Sequence, residues 1–314
     1  MNIFEQLGST STQEEVEPFL EVTTELVQER RSQGHIIWDR FIRNRAAVVG
    51  AVALLALVLF CFVGPYLWTL NPNTPSALSA NATLASPTLA HPFGTDDVGR
   101  DTMARAMYGG RVSLLVGFTS MLMAIIFGIG IGSFAGYYGG VVDNILMRFT
   151  DVILAVPLYL LLFVLSAAFT DGTPKSVIFL IAIFGWTYAA RLVRGEFLTL
   201  REREFVMASR TIGARDFRLM FRHILPNAAG PIIVNATLLI GANIILESVL
   251  SYFGFGIQPP VSSWGSMISV GGDFFDVDPW LVFIPGLLIF FTVLSFNLVG
   301  DGLRDALDPY MTER

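Results

Sequence analysis

Six apolar runs, at 46–67, 114–137, 152–169, 176–193, 228–253 and 280–299, decide what this chain can fold into. A bilayer core needs about 20 apolar residues per crossing helix, and each run meets or approaches that length. Of the 314 residues, 53% are hydrophobic and only 15% charged, which is membrane composition. The expected fold class is therefore all-α, a polytopic membrane protein with six transmembrane helices. The fourth run is the least regular, because Arg191 and Arg194 crowd its end and have to snorkel. Trp68, Tyr137, Tyr138 and Trp280 lie near run ends, where amphipathic rings suit the membrane–water interface.

Arginine placement sets the expected orientation. With the N-terminus inside, the inner segments hold Arg30, Arg31, Arg40, Arg43, Arg45, Arg148, every arginine from Arg191 to Arg222, Arg304 and Arg314. The outer segments keep only Arg100, Arg105, Arg111 and Lys175. Both termini are then cytoplasmic, in a cell membrane. Residues 1–45 form a polar tail with a weak amphipathic pattern at Phe19, Val22 and Leu26, and no early apolar core precedes a cleavage site. The membrane domain extends over 46–309, and 310–314 form a short cytoplasmic tail.

Between the fourth and fifth runs lies a charged island, EFVMASRTIGARDFRLMFRHILP, residues 204–226. Gly213 divides it, because glycine tolerates the left-handed turn that ends a helix. Beyond it Phe217, Met220, Phe221, Ile224 and Leu225 recur as one helical face. Arg215, Asp216, Arg218, Arg222 and His223 take the opposite face, and Pro226 closes the segment. Before Gly213, the residues Phe205, Ala208, Ser209 and Ile212 make a smaller stripe. Too polar to cross a bilayer, this unit requires a protein partner or the membrane surface.

The island resembles the cytoplasmic loop motif of ABC importer permeases: Glu-Ala-Ala, three residues, Gly, nine residues, Ile-x-Leu-Pro. Ala208, Gly213, Leu225 and Pro226 match at the required separations, whereas Met207, Ser209 and His223 depart from the motif. Other blocks resemble the dipeptide/oligopeptide (peptide/nickel) branch, C-type subunit. They are Gly94–Thr95–Asp96, Gly99–Arg100–Asp101 and Gly109-x-Arg111-x-Ser113 in the outer loop 69–113, then Gln258–Pro260 with Trp264–Gly265, and FNLVGDGLRDALDP at 296–309. The resemblance implies that the loop 194–226 is the ATPase-coupling element, with Phe205, Ala208, Ser209, Gly213, Ala214, Phe217, Phe221, Leu225 and Pro226 as its residues. It also implies a second homologous permease subunit, two ATP-binding subunits and an extracytoplasmic solute-binding protein. Dipeptides or oligopeptides are the implied solutes, with nickel complexes as the alternative.

Other features are read from the residues alone. Asp101 can cap a short interfacial helix ending at Gly109–Gly110. Gly128, Gly132 and Gly136 form small-xxx-small steps that suit packing inside the bundle, or else a dimer seam. Glu247 is the carboxylate well inside the fifth run; it must face protein or a water-filled cavity, as a pathway or gate residue or as a structural hydrogen-bond partner. Asn235 and Asn243 share its helix as further pathway candidates.

The sole cysteine, Cys61, excludes an internal disulfide, and the three scattered histidines make no metal site. The only lysine lies in GTPKS, which is not a phosphate loop. No acid/base or nucleophile constellation marks an enzyme. No cofactor is therefore expected on this chain, and ATP with Mg belongs to partner subunits. Nothing suggests nucleic acid. A self-sufficient secondary transporter should show internal repeats, which are not evident, and a membrane scaffold would leave Glu247, Asn235 and Asn243 without a purpose.

Overall fold

A computed structural model describes residues 33–75, 83–169 and 171–307, and every regular element among them is helical. Helix α1, Gln33–Arg43, falls within the expected tail; Asn44 then breaks the chain and caps α2, Arg45–Phe62, by accepting from the amides of Ala46 and Ala47. The short α3, Gly64–Leu67, follows, and after a long connection comes α4, Thr102–Tyr138. Next are α5, Gly140–Ala155, α6, Leu158–Phe169, and α7, Pro174–Leu200. The island holds α8, Glu204–Thr211, α9, Asp216–Arg218, a π-helical turn at Leu219–Ile224, and α10, Leu225–Asn227. Three more helices follow among the described residues: α11, Ala229–Tyr252, α12, Trp264–Gly272, and α13, Trp280–Leu307. The amphipathic pattern at Phe19, Val22 and Leu26 and the last residues of the 296–309 block lie outside the described residues.

Among the described residues five helices, α2, α4, α7, α11 and α13, are long and apolar enough to cross a membrane, and α5 with α6 makes a sixth crossing if that bent pair is counted as one. The third expected run is thus not straight. It breaks at Val156, which is extended at φ −85° and ψ 132°, and the two helices meet at 83°. The cause is Pro157: its ring disfavours the helical conformation of the residue before it.

The second expected run also changes. Asp101 does cap a helix, its carboxylate accepting from the Ala104 amide at 2.6 Å. That helix does not end at Gly109–Gly110 but continues to Tyr138. These glycines serve close approach rather than termination. A Cβ on Gly110 would lie 2.6 Å from Trp264 Cζ2, and one on Gly109 would lie 3.3 Å from the Ser263 backbone. Helix α4 therefore has 37 residues, roughly 55 Å at the helical rise.

Helix α4 packs most extensively on α7. Cβ atoms on Gly128, Gly132 and Gly136 would meet Ala189, Ala190 and Phe197 of α7 at 2.5–2.6 Å, so the small-residue stripe is spent inside the bundle. Arg191 and Arg194 do not rely on water alone. They pair with carboxylates of α5: Arg191 Nη2 with Asp151 Oδ1 at 2.6 Å, and Arg194 Nη2 with Asp143 Oδ2 at 2.6 Å. Helix α13 runs beside α2, where Asn44 Nδ2 donates to Asp305 Oδ2 at 3.0 Å.

Candidate functional site

The island folds as a helical hairpin. Helix α8 ends in a Schellman arrangement in which the Gly213 amide donates to Arg210 O at 3.0 Å and the Ala214 amide to Ser209 O at 3.1 Å. Gly213 holds φ +87°, the left-handed value the turn requires, and nothing lies within 4 Å of where its Cβ would be. Glycine is needed here for its backbone and not for space.

The second arm departs from the expected helical face. Pro226 does not close the segment, since helical turns continue through Asn227. Its ring clashes with the carbonyl four residues back and its nitrogen cannot donate. The preceding turn widens instead, with the Leu225 amide bonding to Met220 O five residues back. Widening rotates the buried side to Leu219, Met220 and Ile224, which join Val206, Tyr137 and Phe197 in one core cluster. Phe217, expected on the inner face, is 68% exposed and packs on Phe221 with ring centroids 4.5 Å apart.

The hairpin thus presents apolar residues outward. Phe205, Met207 and Ala208 are exposed, as are Gly213 and Pro226, and Ile212 is 86% exposed. Ser209, Ala214, Phe221 and Leu225 are half-buried. Tyr137, at the end of α4, sits beneath the hairpin. Its hydroxyl donates to Asp216 Oδ1 at 2.7 Å and accepts from Arg210 Nη2 at 3.3 Å. From its place at the end of an apolar run Tyr137 is expected only as an interface ring, and no local signal connects it with Asp216.

A second polar site lies toward the opposite end of α4. Glu247 is 0% exposed. Ser113 Oγ donates to its Oε2 at 3.0 Å and Ser251 Oγ to its Oε1 at 2.7 Å. Each serine in turn accepts a backbone amide: Trp264 N–H on Ser113 at 3.2 Å, and Ile257 N–H on Ser251 at 3.1 Å. The Trp264 indole N–H donates to Ala106 O at 2.9 Å. One carboxylate thereby gathers α4, α11 and the segment entering α12. Neither Asn243 nor Asn297 is its partner in these bonds. Asn243 Nδ2 donates instead to Ser120 Oγ of α4 at 2.9 Å. Asn235 is half-buried, and its Oδ1 has no hydrogen-bond partner. Glu247, Asn243 and Asn235 are therefore not brought to one point.

Above the N-terminus of α4 the outer-loop motifs form a polar knot. Asp101 also accepts from the Trp68 indole at 3.1 Å and meets His91 Nδ1 at 2.7 Å. Asp96 Oδ2 pairs with Arg100 Nε at 2.7 Å and with Arg105 Nε at 3.4 Å. The Gly-Thr-Asp and Gly-Arg-Asp elements thus hold this end together.

The chain is similar to known proteins along nearly all of this framework. Residues 128–313 match the model of the binding-protein-dependent transport system inner membrane component, and residues 32–87 match the N-terminal TM domain of oligopeptide transport permease C. The oligopeptide transport system permease protein OppC of Bacillus subtilis is 40% identical over 270 residues, covering 86% of this chain and 87% of that one. The dipeptide transport system permease protein DppC of Alkalihalophilus pseudofirmus is 40% identical over 269 residues, covering 86% and 87%. OppC of Haemophilus influenzae is 37% identical over 298 residues, covering 93% and 94%. Among solved structures, a chain of the MetNI methionine ABC transporter in inward-facing conformations superposes with TM-score 0.54 at 16% identity, covering 66% of this chain and 98% of that one, which is a likeness of fold. The resemblance read from the motifs holds: the chain belongs to the inner membrane components of binding-protein-dependent transport systems.

Proposed function

We propose that this membrane component is the permease subunit of an ATP-driven importer of dipeptides or oligopeptides, and that residues 204–226 dock an ATP-binding subunit. Family membership makes the chain one part of a transport complex. The names of its relatives support peptides as solutes. The observation that carries the docking role is the hairpin's outward apolar face: Phe205, Met207, Ile212 and Phe217 stand exposed on an arginine-rich segment that cannot enter the bilayer.

The complete assembly comprises a second homologous permease subunit, two ATP-binding subunits and an extracytoplasmic solute-binding protein. ATP and Mg are used in the ATP-binding subunits, and this chain binds no cofactor. The membrane domain is 46–309, with tails 1–45 and 310–314 assigned to the same, cytoplasmic, side of the membrane as the hairpin. Asn235, whose buried side-chain oxygen has no hydrogen-bond partner among the described residues, is the candidate among the three polar residues of α11 for contact with the solute path.

Gly213→Val and Ala208→Trp test the docking role. Valine at φ +87° meets a backbone cost of about 1–2 kcal/mol or more, and tryptophan at the exposed Ala208 obstructs a close partner. Both variants are expected to insert normally, lose co-purification of the ATP-binding subunits from detergent extract, and lose peptide uptake. Full retention of those subunits with normal uptake in both would refute docking through this hairpin.

A further inference from the structure

Helix α4 joins the knot capped by Asp101 to the hairpin without a break. At its hairpin end three side chains converge. Arg201, at the end of α7, donates from Nη1 to Gly136 O at 3.1 Å and to Tyr137 O at 3.2 Å, filling open carbonyls of the last turn. Arg210, before the Gly213 turn, donates to the Tyr137 hydroxyl, and Asp216, after the turn, accepts from it. The Arg210 guanidinium also lies 5.8 Å from the Tyr137 ring centre. Both arms of the hairpin are thus tied to one hydroxyl at the end of one helix.

We infer that Tyr137 is the joint through which movement of the hairpin is passed to α4; this rests on the docking role proposed above. The apolar contacts beneath the hairpin, from Val206, Leu219 and Met220, are non-directional and permit sliding. The bonds from Tyr137 to Asp216 and Arg210 involve charged groups and fix direction as well as distance. Tyr137 itself is buried, while Arg210 and Asp216 are exposed, so the two bonds tie a fixed side chain of α4 to the outer surface of the hairpin. The glycine stripe holds α4 against α7, so a pull at Tyr137 moves a paired strut and not a loose end. About seven turns further along the same strut, Ser113 bonds Glu247 and the Trp264 amide. Tyr137 touches no solute and acts by positioning.

The test uses the reconstituted complete complex in proteoliposomes, with a labelled tri- to pentapeptide mixture as probe. Peptide transported per ATP hydrolysed is the readout, because a purely structural role lowers both activities together and leaves the ratio unchanged. Tyr137→Phe is expected to retain the ATP-binding subunits and to lower the ratio about tenfold or more, the loss expected for one hydrogen bond to a charged group. Asp216→Ala should do the same, Asp216→Asn, which keeps an acceptor, should recover most of the ratio, and Tyr137→Phe with Asp216→Ala should be no worse than either alone. An unchanged ratio in Tyr137→Phe, or loss of the ATP-binding subunits in that variant, overturns the joint and leaves the docking role standing. Retention of those subunits with normal uptake in both Gly213→Val and Ala208→Trp removes the docking surface, and the joint with it.

Discussion

Replacing Glu247 separates a keystone from a pathway residue. Its carboxylate accepts from two buried serines, each of which holds a backbone amide of the segment leading into α12. Leucine removes both acceptors. Leaving a buried hydroxyl donor unsatisfied costs about 1–3 kcal/mol, so two cost about 2–6 kcal/mol before relaxation. Ser113 and Ser251 can turn toward the carbonyls of Gly109 and Glu247, four residues back in their helices, and recover part of this. The carboxylate's own desolvation works in the opposite direction. Glutamine is therefore the control, because it also removes the charge but keeps an acceptor oxygen. Glu247→Leu should be less stable than Glu247→Gln by about 1–3 kcal/mol, and each kcal/mol lowers the melting midpoint by about 2–4 °C in a chain of a few hundred residues. The assay is thermal unfolding in detergent, with peptide uptake by the reconstituted complex alongside. Glu247→Gln is expected to melt near the wild type and to transport. A leucine variant as stable as the glutamine variant would refute the keystone argument. A glutamine variant that folds normally yet transports nothing would assign Glu247 to the pathway.

Cysteines placed at Ser86 and Gln258, both exposed, should react with an impermeant maleimide from outside, and one at the exposed Arg215 only after the membrane is opened. The native Cys61 is fully buried and stays silent, so the background is clean; reaction at position 215 in sealed cells overturns the orientation. Gly110→Val should destabilise the fold by about 1–3 kcal/mol, because its Cβ overlaps Cys61 Sγ and a Trp264 ring whose indole N–H is bonded to Ala106 O. Thermal unfolding checks it, and Gly110→Val with Trp264→Leu should regain part of the loss.

The spans and the hairpin were legible because their signals are local. Run length and the Gly213 turn can each be read within a window of about 20 residues or fewer. The miss at Gly109–Gly110 came from the ambiguity of glycine, which marks a helix end or a close approach equally well. The choice was made by Trp264, whose indole bonds Ala106 across 158 positions of sequence. Likewise Glu247 announced that it needed a partner, but Ser113 lies 134 positions away. The bend at Val156 did have a local signal, since Pro157 stands inside the apolar run and restricts the residue before it. Pro226 was read as a stop when it instead widened the turn ahead of it. That outcome depends on tertiary burial of Leu219, Met220 and Ile224, which offsets the loss of regular helical bonds.

Exposed apolar residues are ordinary on a chain like this, and only their setting gives them meaning. Val141, Ile145, Phe149 and Val152 stand exposed along one side of α5, where lipid or another membrane subunit suffices to cover them. Ile212 and Phe217 are equally bare, but Arg210, Arg215, Arg218 and Arg222 surround them in sequence. Burying two such side chains is worth about 1.5–3 kcal/mol each, while taking even one arginine to the bilayer centre costs about as much on insertion scales. The bilayer centre therefore cannot satisfy this face. A protein groove can, with an apolar floor for Ile212 and Phe217 and acidic walls for the arginines beside them. The widened turn at Leu219–Ile224 accompanies the outward placement of Phe217, which adds to the exposed Phe205, Met207 and Ile212.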